Sequence, residues 1–146
     1  MNNYYYFSRD TGWGDTLWHL TNALMYCEQN KKDILIDMRG HWASKGSKNL
    51  FGEYFQSVDS DVNVIINEEF IDEKKDSAEH HNDSKLVIKN PLKCKEDSKR
   101  FYDTFDRINI HGSIAKEIDE IRANKFSGHY VVGVHARCSN GEFLPP

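Results

Sequence analysis

The stretch YYYFSRDTGWGDTLWHLTNALMYCEQNKKDILID, residues 4–37, decides the fold of this chain. Its first four residues are aromatic and have high strand propensity, and the next eight are mostly polar and contain two glycines. Residues 33–37 are a short apolar run between two aspartates, which is typical of a buried strand in a parallel sheet. Between them, apolar residues recur at helical spacing: Leu17, Leu20, Leu24 and Cys27. The stretch therefore predicts a strand–loop–helix–strand unit, with Asp15 as the expected N-cap.

The rest of the chain alternates in the same way. Strands are expected at 62–66, 86–88 and 130–134, and helices around 51–55, 96–108 and 114–126. Residues 59–83 carry more acids than bases, and we expect much of this segment to be a solvated excursion. The pattern predicts an α/β fold: a Rossmann-like, mostly parallel sheet with flanking helices, whose ligands bind outside the carboxyl ends of the strands.

Composition narrows the class of protein. With 146 residues the chain is long enough to bury a core, and its net charge of −4 excludes the broad positive field of a non-specific nucleic-acid binder. Its apolar runs are far shorter than the roughly 20 residues that span a bilayer, so we expect no membrane span. We also expect no secretory signal and a cytoplasmic location, in which the three cysteines stay reduced.

Two segments fall at the predicted ligand edge, and the first is the glycine loop, residues 8–15. Gly12 and Gly14 would let a phosphate or a sugar approach the backbone amides at the start of the helix. The alternative is a tight turn followed by a helix cap. Asp15 would repel an anion at this point, so the loop does not favour a direct phosphate cradle.

The second segment is HARCSNGE, residues 135–142, which follows the last predicted strand. Arg137 at the carboxyl end of a strand is suited to bidentate recognition of a phosphate, with His135 and a turn-forming Asn140 beside it. A structural ion pair of Arg137 with a carboxylate is an equally good interpretation of the sequence alone.

Aromatic and histidine residues are further candidates. Trp42 lies in a polar loop and is the best candidate for an exposed aromatic that stacks on a sugar, whereas the other aromatics at helical spacing are more often core residues. His80 and His81 are adjacent and do not share a helix or strand face. Because no third ligand is evident from the sequence, we expect a solvated pair and no metal site.

Four motifs together carry a family resemblance. In chain order they are GWGDTLW (12–18), ILIDMRG (34–40), FGEYF (51–55) and HARCSNGE (135–142), and they resemble the N-terminal part of the bacterial nodulation-type α-1,6-fucosyltransferases. The resemblance implies an inverting enzyme that transfers fucose from GDP-fucose, without a metal or other cofactor, to an oligosaccharide acceptor containing N-acetylglucosamine. It also implies a GT-B-like fold of two Rossmann-like halves.

Carried over to this chain, the resemblance implies an acceptor-side domain at residues 1–129 and, at 130–146, the first strand and arginine motif of a truncated donor-binding domain. Arg137 would hold the donor diphosphate as a catalytic residue, with His135 and Asn140 in the donor site. Gly12, Gly14 and Asp15 would face the same cleft. Trp42, the candidate exposed aromatic of the polar loop, is the residue we expect to contact the acceptor.

Two features of the arginine motif bear on catalysis. Glu142 is a candidate catalytic base, as is Asp15. The family has a second basic residue after the arginine, where this chain has Cys138. A non-catalytic glycan- or nucleotide-binding module derived from such an enzyme is therefore the alternative function, and a generic flavodoxin-like domain is the third.

Overall fold

The structure is a computed structural model that describes residues 3–44, 46 and 48–132. In chain order its elements are β1 (Tyr4–Phe7), α1 (Trp13–Asn30), β2 (Asp33–Ile36), α2 (Phe51–Tyr54), β3 (Phe55–Val58), β4 (Val64–Ile65), α3 (Glu68–Lys74), β5 (Glu79–His80), α4 (Lys95–Phe105), β6 (Ile108–Ile110) and α5 (Gly112–Ile121). Short 3₁₀ turns follow α3 and β5, and a π-helical turn, Arg122–Phe126, continues α5. None of the described helices is long and apolar enough to cross a bilayer.

The main sheet has four strands in the order β4-β2-β1-β5, and every pair in it is parallel. Strands β1 and β2 pair along their full length, from Tyr4 opposite Asp33 to Phe7 opposite Ile36. The strand–loop–helix–strand unit and the parallel sheet predicted from the sequence are confirmed. A separate antiparallel ribbon of β3 and β6 was not predicted.

Side chains alternate across β1 and thereby build two apolar layers. Tyr5 and Phe7 are fully buried against α1, whose Leu20 and Leu24 are each only 1% exposed. On the opposite face, Tyr4 and Tyr6 pack with Ile71 of α3. Burying each such large apolar side chain contributes about 1.5–3 kcal/mol, so helices on both faces stabilise the sheet.

The segment 59–83 is not a solvated excursion. It supplies β4, α3 and β5, which are both edges of the main sheet and one covering helix. Ile71 is fully buried, whereas Glu68 and Glu69 lie in the first turn of α3, where carboxylates are stabilised by the helix dipole. The prediction failed because the acids occupy the solvent-facing side of elements whose few apolar residues face the core.

Two predicted strands are wrong in the described residues. Residues 86–88 form no strand, because the buried backbone N–H of Ile88 donates to Oδ1 of Asn22 on α1 at 2.7 Å instead of to a neighbouring strand. Residues 130–132 lie outside any strand, and Tyr130 is 96% exposed. Positions 133 and 134 of that predicted strand lie outside the described residues.

The predicted N-cap is also wrong. Helix α1 begins at Trp13 and its N-cap is Gly12, with no capping hydrogen bond from a side chain. Asp15 therefore lies within the first turn, where its charge favours the helix dipole. The two later helices are confirmed as α4 and as α5 with its π-helical continuation.

Candidate functional site

The segments that follow β1, β2 and β5 gather at the carboxyl edge of the sheet, where parallel α/β folds bind their ligands. The loop after β2 closes onto the glycine loop through Trp42. Its backbone N–H donates to Oδ1 of Asp10 at 2.7 Å, and its indole Nε1 donates to the carbonyl of Thr11 at 3.2 Å. Residues 10, 11 and 42 therefore form one surface.

The glycines of this loop have no local reason to be glycine. Gly12 has an ordinary negative φ of −59°, and Gly14 lies in the first turn of α1. A Cβ added at either position would meet no described atom within 4 Å. Because neither backbone strain nor packing requires glycine here, the open surface favours close approach of a ligand over the tight-turn interpretation.

Asp15 is held by Arg9, whose Nε donates to its Oδ2 at 3.0 Å. Partial burial acts to raise the pKa of Asp15, but hydrogen bonds from Thr11 and Arg9 outweigh it and bring the pKa below its ordinary value. The carboxylate stays ionised and paired, which makes it a weak proton acceptor at neutral pH. This geometry does not support Asp15 as the catalytic base.

Trp42 is exposed, as predicted, with 63% of its surface accessible. Beneath it lies His41, which is only 1% exposed and whose ring stacks on that of Trp13 with centroids 4.6 Å apart. The Nε2 of His41 is buried without a hydrogen-bond partner among the described residues. Trp13, His41 and Trp42 thus form an aromatic layer beside the glycine loop.

The other aromatic candidates divide between core and groove. Phe51 is buried, and Trp18 packs on Phe101 with ring centroids 4.9 Å apart, so these belong to the core as the sequence indicated. Tyr54 and Phe55 instead line an open apolar groove of about 470 Å³. Its other lining residues are Trp13, Leu17, Ile110 and Ile114.

A second polar cluster at this edge was missed by sequence reasoning. Nδ1 of His19 lies 3.0 Å from Nε2 of His81 and 3.8 Å from Oδ1 of Asp83, and Arg9 donates to the same carboxylate oxygen at 3.1 Å. The expectation of a solvated pair is wrong for His81, whose Nδ1 is also hydrogen-bonded to the hydroxyl of Tyr5 at 2.8 Å. The sequence did not predict β5, and it is this strand that places residues 81–83 at the carboxyl edge of the sheet.

The structure brings together four of the predicted site residues at the carboxyl edge: Gly12, Gly14, Asp15 and Trp42. The remaining four lie outside the described residues, and their roles stay predictions: His135, Arg137, Asn140 and Glu142.

A parallel sheet with helices on both faces and loops gathered at its carboxyl edge defines a Rossmann-like α/β domain. No family model matches the chain. It is 24% identical over 174 aligned positions to nodulation protein Z of Bradyrhizobium diazoefficiens, and 23% identical over 181 positions to nodulation protein Z of Sinorhizobium fredii. The chain is homologous to nodulation protein Z.

Solved structures give the same result for the fold. The crystal structure of the fucosyltransferase NodZ from Bradyrhizobium matches 88% of this chain with a TM-score of 0.62 and 19% identity. The α-1,6-fucosyltransferase NodZ soaked with GDP-fucose matches with a TM-score of 0.61 and 18% identity. The chain spans about half the length of the curated relatives it matches, 46% and 56%, and 57% of both solved chains.

Proposed function

We propose that this chain is the acceptor-side part of an α-1,6-fucosyltransferase that uses GDP-fucose and has a GT-B-like fold. The observation that carries the proposal is the agreement of two comparisons: nodulation protein Z is matched in sequence over 92% of the chain and NodZ in fold over 88% of it. On this proposal, residues 1–129 form the acceptor-side domain, and residues 130–146 begin the donor-binding domain.

The donor would enter over the glycine loop. The open surface at Gly12 and Gly14 supports close approach of the sugar or diphosphate to the backbone, because a Cβ at either position would meet no described atom within 4 Å. Asp15 forms an ion pair with Arg9, and this pairing reduces the repulsion between the Asp15 carboxylate and an anionic donor. We assign binding of the donor diphosphate to Arg137, and we assign further contacts with the donor to His135 and Asn140.

Transfer requires two chemical contributions. The departing diphosphate gains negative charge, and the guanidinium of Arg137 would stabilise it through two parallel hydrogen bonds. The acceptor hydroxyl must lose its proton to a base. Since Asp15 is paired with Arg9, we assign this role to Glu142. A cationic side chain in this position replaces the charge that a divalent metal would supply, so the proposed reaction needs no metal.

The acceptor would lie on the aromatic layer. The exposed indole of Trp42 is held by a hydrogen bond from its Nε1 to the carbonyl of Thr11, and the backbone N–H of Trp42 donates to Asp10, so the indole face is fixed and available for stacking on a pyranose ring. The adjoining apolar groove, with Tyr54 at its rim, can take the acetamido methyl groups of an N-acetylglucosamine chain.

A binding experiment on the 146-residue chain tests this assignment. Calorimetric titration with chitooligosaccharides should show binding that cello-oligosaccharides of equal length, which lack the acetamido groups, do not show. Equal binding of both sugars, or of neither, would remove the support for an acceptor-side domain. Tight binding of GDP-fucose together with a lack of transfer by the protein of the complete reading frame would favour the non-catalytic binding module.

A further inference from the structure

The cluster of His19, His81 and Asp83 has the composition and spacing of a metal site. Each residue offers one ligand atom, and the three atoms lie within 4.8 Å of one another. The two shortest separations are 3.0 Å between the facing imidazole nitrogens and 3.8 Å from His19 to the carboxylate. Ligands about 2.0–2.1 Å from a tetrahedral Zn²⁺ are separated from one another by about 3.3 Å, so small shifts would complete the geometry.

The outer nitrogen of His81 has a partner of the kind that metal ligands use, because its Nδ1 is hydrogen-bonded to the hydroxyl of Tyr5 at 2.8 Å. Nε2 of His19 lies 3.7 Å from Oδ1 of Asp15, which is near this carboxylate but longer than a hydrogen bond. In metal centres, a hydrogen bond from the outer N–H to an oxygen fixes the tautomer and directs the other nitrogen at the ion. Here that other nitrogen is, in both rings, the one that faces the cluster.

The ligand set indicates which ion fits. Two imidazoles and one carboxylate suit Zn²⁺ and chemically similar ions such as Co²⁺, whereas Ca²⁺ and Mg²⁺ prefer oxygen ligands throughout. The side chain of Asp83 is 73% exposed, so the site can be reached from solvent. Arg9 donates to Oδ1 of Asp83, the same oxygen that lies 3.8 Å from Nδ1 of His19, and offsets part of its charge. The ion would share this oxygen with Arg9 or bind the second oxygen, Oδ2.

We propose that His19, His81 and Asp83 form a Zn²⁺ site that joins α1 to the segment after β5. Its role is to stabilise the domain, because it ties two residues 62 positions apart and none of its three ligands is assigned to fucose transfer. It does not rest on the proposed transferase function.

The test uses the untagged 146-residue chain after removal of metals with a chelator. Zn²⁺ should bind with one equivalent per chain in calorimetry and raise the melting temperature, and Co²⁺ should give the visible absorption of a tetrahedral site. Asp83→Asn, at an exposed side chain, should weaken Zn²⁺ binding at least tenfold and leave the metal-free melting temperature unchanged. Tyr5→Phe should weaken it by about tenfold to a hundredfold through the lost outer contact.

His80 supplies the matched control, since it is the neighbouring histidine and contacts the carbonyl of Lys75 through Nε2. His80→Ala should bind Zn²⁺ as the wild type does, and His81→Ala should not bind it. A folded wild-type chain without Zn²⁺ binding, or equal affinities for the His80 and His81 variants, would overturn the proposal. Binding that survives Asp83→Asn unchanged would overturn the assigned ligand set.

Discussion

His19 and His81 lie with their facing ring nitrogens 3.0 Å apart, although 62 positions separate them in the chain. The contact joins the second turn of α1 to the residue that follows β5, so it ties the helix to the carboxyl edge of the sheet. Arg9, within the glycine loop, contacts both Asp15 of α1 and Asp83 after β5. The geometry of the candidate site therefore depends on contacts that are distant in sequence.

Glu79 should make the domain sensitive to acid. Hydrogen bonds from Lys32, Lys85 and Tyr26 lower its pKa to about 2 from the ordinary 4.5. The stabilisation is present above about pH 4.5 and is lost as the pH falls toward 2. Glu79→Gln should lower the free energy of unfolding at pH 7 by about 1–2 kcal/mol, as these bonds are partly solvent-screened.

Urea unfolding at pH 7 and at about pH 2.5 measures the effect of Glu79→Gln. The difference between wild type and variant should shrink at the lower pH, and a constant difference would contradict the assignment. Glu53→Gln is the control, because Glu53 pairs with Lys48 on the surface and should contribute little.

Gly14→Ala should have opposite effects on the stability of the domain and on donor binding. Alanine costs less than glycine in a helix by about 0.5–1 kcal/mol, and the added methyl group meets no described atom. The variant should therefore raise the melting temperature while weakening donor binding. The control is Gly112→Ala at the first residue of α5, where the methyl group makes only an ordinary contact and binding should not change. Unchanged donor affinity in Gly14→Ala would show that no ligand approaches this glycine.

Trp42→Ala should weaken chitooligosaccharide binding with little loss of stability, because the indole is largely exposed. Loss of one stacking contact should reduce the affinity by about threefold to tenfold. Phe126→Ala, at another exposed aromatic in the π-helical turn that continues α5, should leave the affinity unchanged. Calorimetry and melting temperature on both variants measure the effect, and equal losses of affinity would argue against a role for Trp42.

Chelation should have different effects on stability and on catalysis. Fucose transfer by a competent form of the protein should persist in EDTA, because Arg137 supplies the charge at the diphosphate. The increase in melting temperature caused by Zn²⁺ should disappear in the same buffer. Loss of transfer in EDTA that Mn²⁺ or Mg²⁺ restores would contradict the metal-free reaction, whereas an unchanged melting temperature would count against the zinc site alone.

Arg137→Lys should lose about tenfold to a hundredfold in use of GDP-fucose, since one charge-assisted hydrogen bond is worth about 1.5–3 kcal/mol. Lysine keeps the charge but cannot hold two oxygens with the fixed geometry of a guanidinium. Arg137→Ala distinguishes the two interpretations of this residue. Lower GDP affinity with an unchanged melting temperature supports the donor role, and the reverse pattern identifies a structural ion pair.

The sequence predicted the centre of the fold because its signals there are local. Helix α1 is predicted by the helical spacing of Leu20, Leu24 and Cys27, and β2 by a short apolar run. Both patterns are complete within a few residues of the chain. Of the two edge strands of the sheet, β4 lies within the predicted strand 62–66, whereas β5 was missed. Strand β5 is two residues long and has no periodic pattern, and it becomes a strand only through pairing with β1.

The candidate site was predicted in part on the same grounds. The glycines and Trp42 stand out as residue types in a polar loop, so the sequence identifies them without the fold. His19 does not stand out, because one histidine within an amphipathic helix carries no signal of its own. Only the placement of β5 beside β1 brings His81 within 3.0 Å of it.

The most direct test of the account is an assay of fucose transfer by the protein of the complete reading frame that contains this chain. We expect transfer from GDP-fucose to chitooligosaccharides in α-1,6 linkage, lost in Arg137→Ala, and little or no transfer by residues 1–146 alone. Absence of transfer by the complete protein, or robust turnover by the 146-residue chain alone, would contradict the assignment of this chain to one side of a two-domain fucosyltransferase.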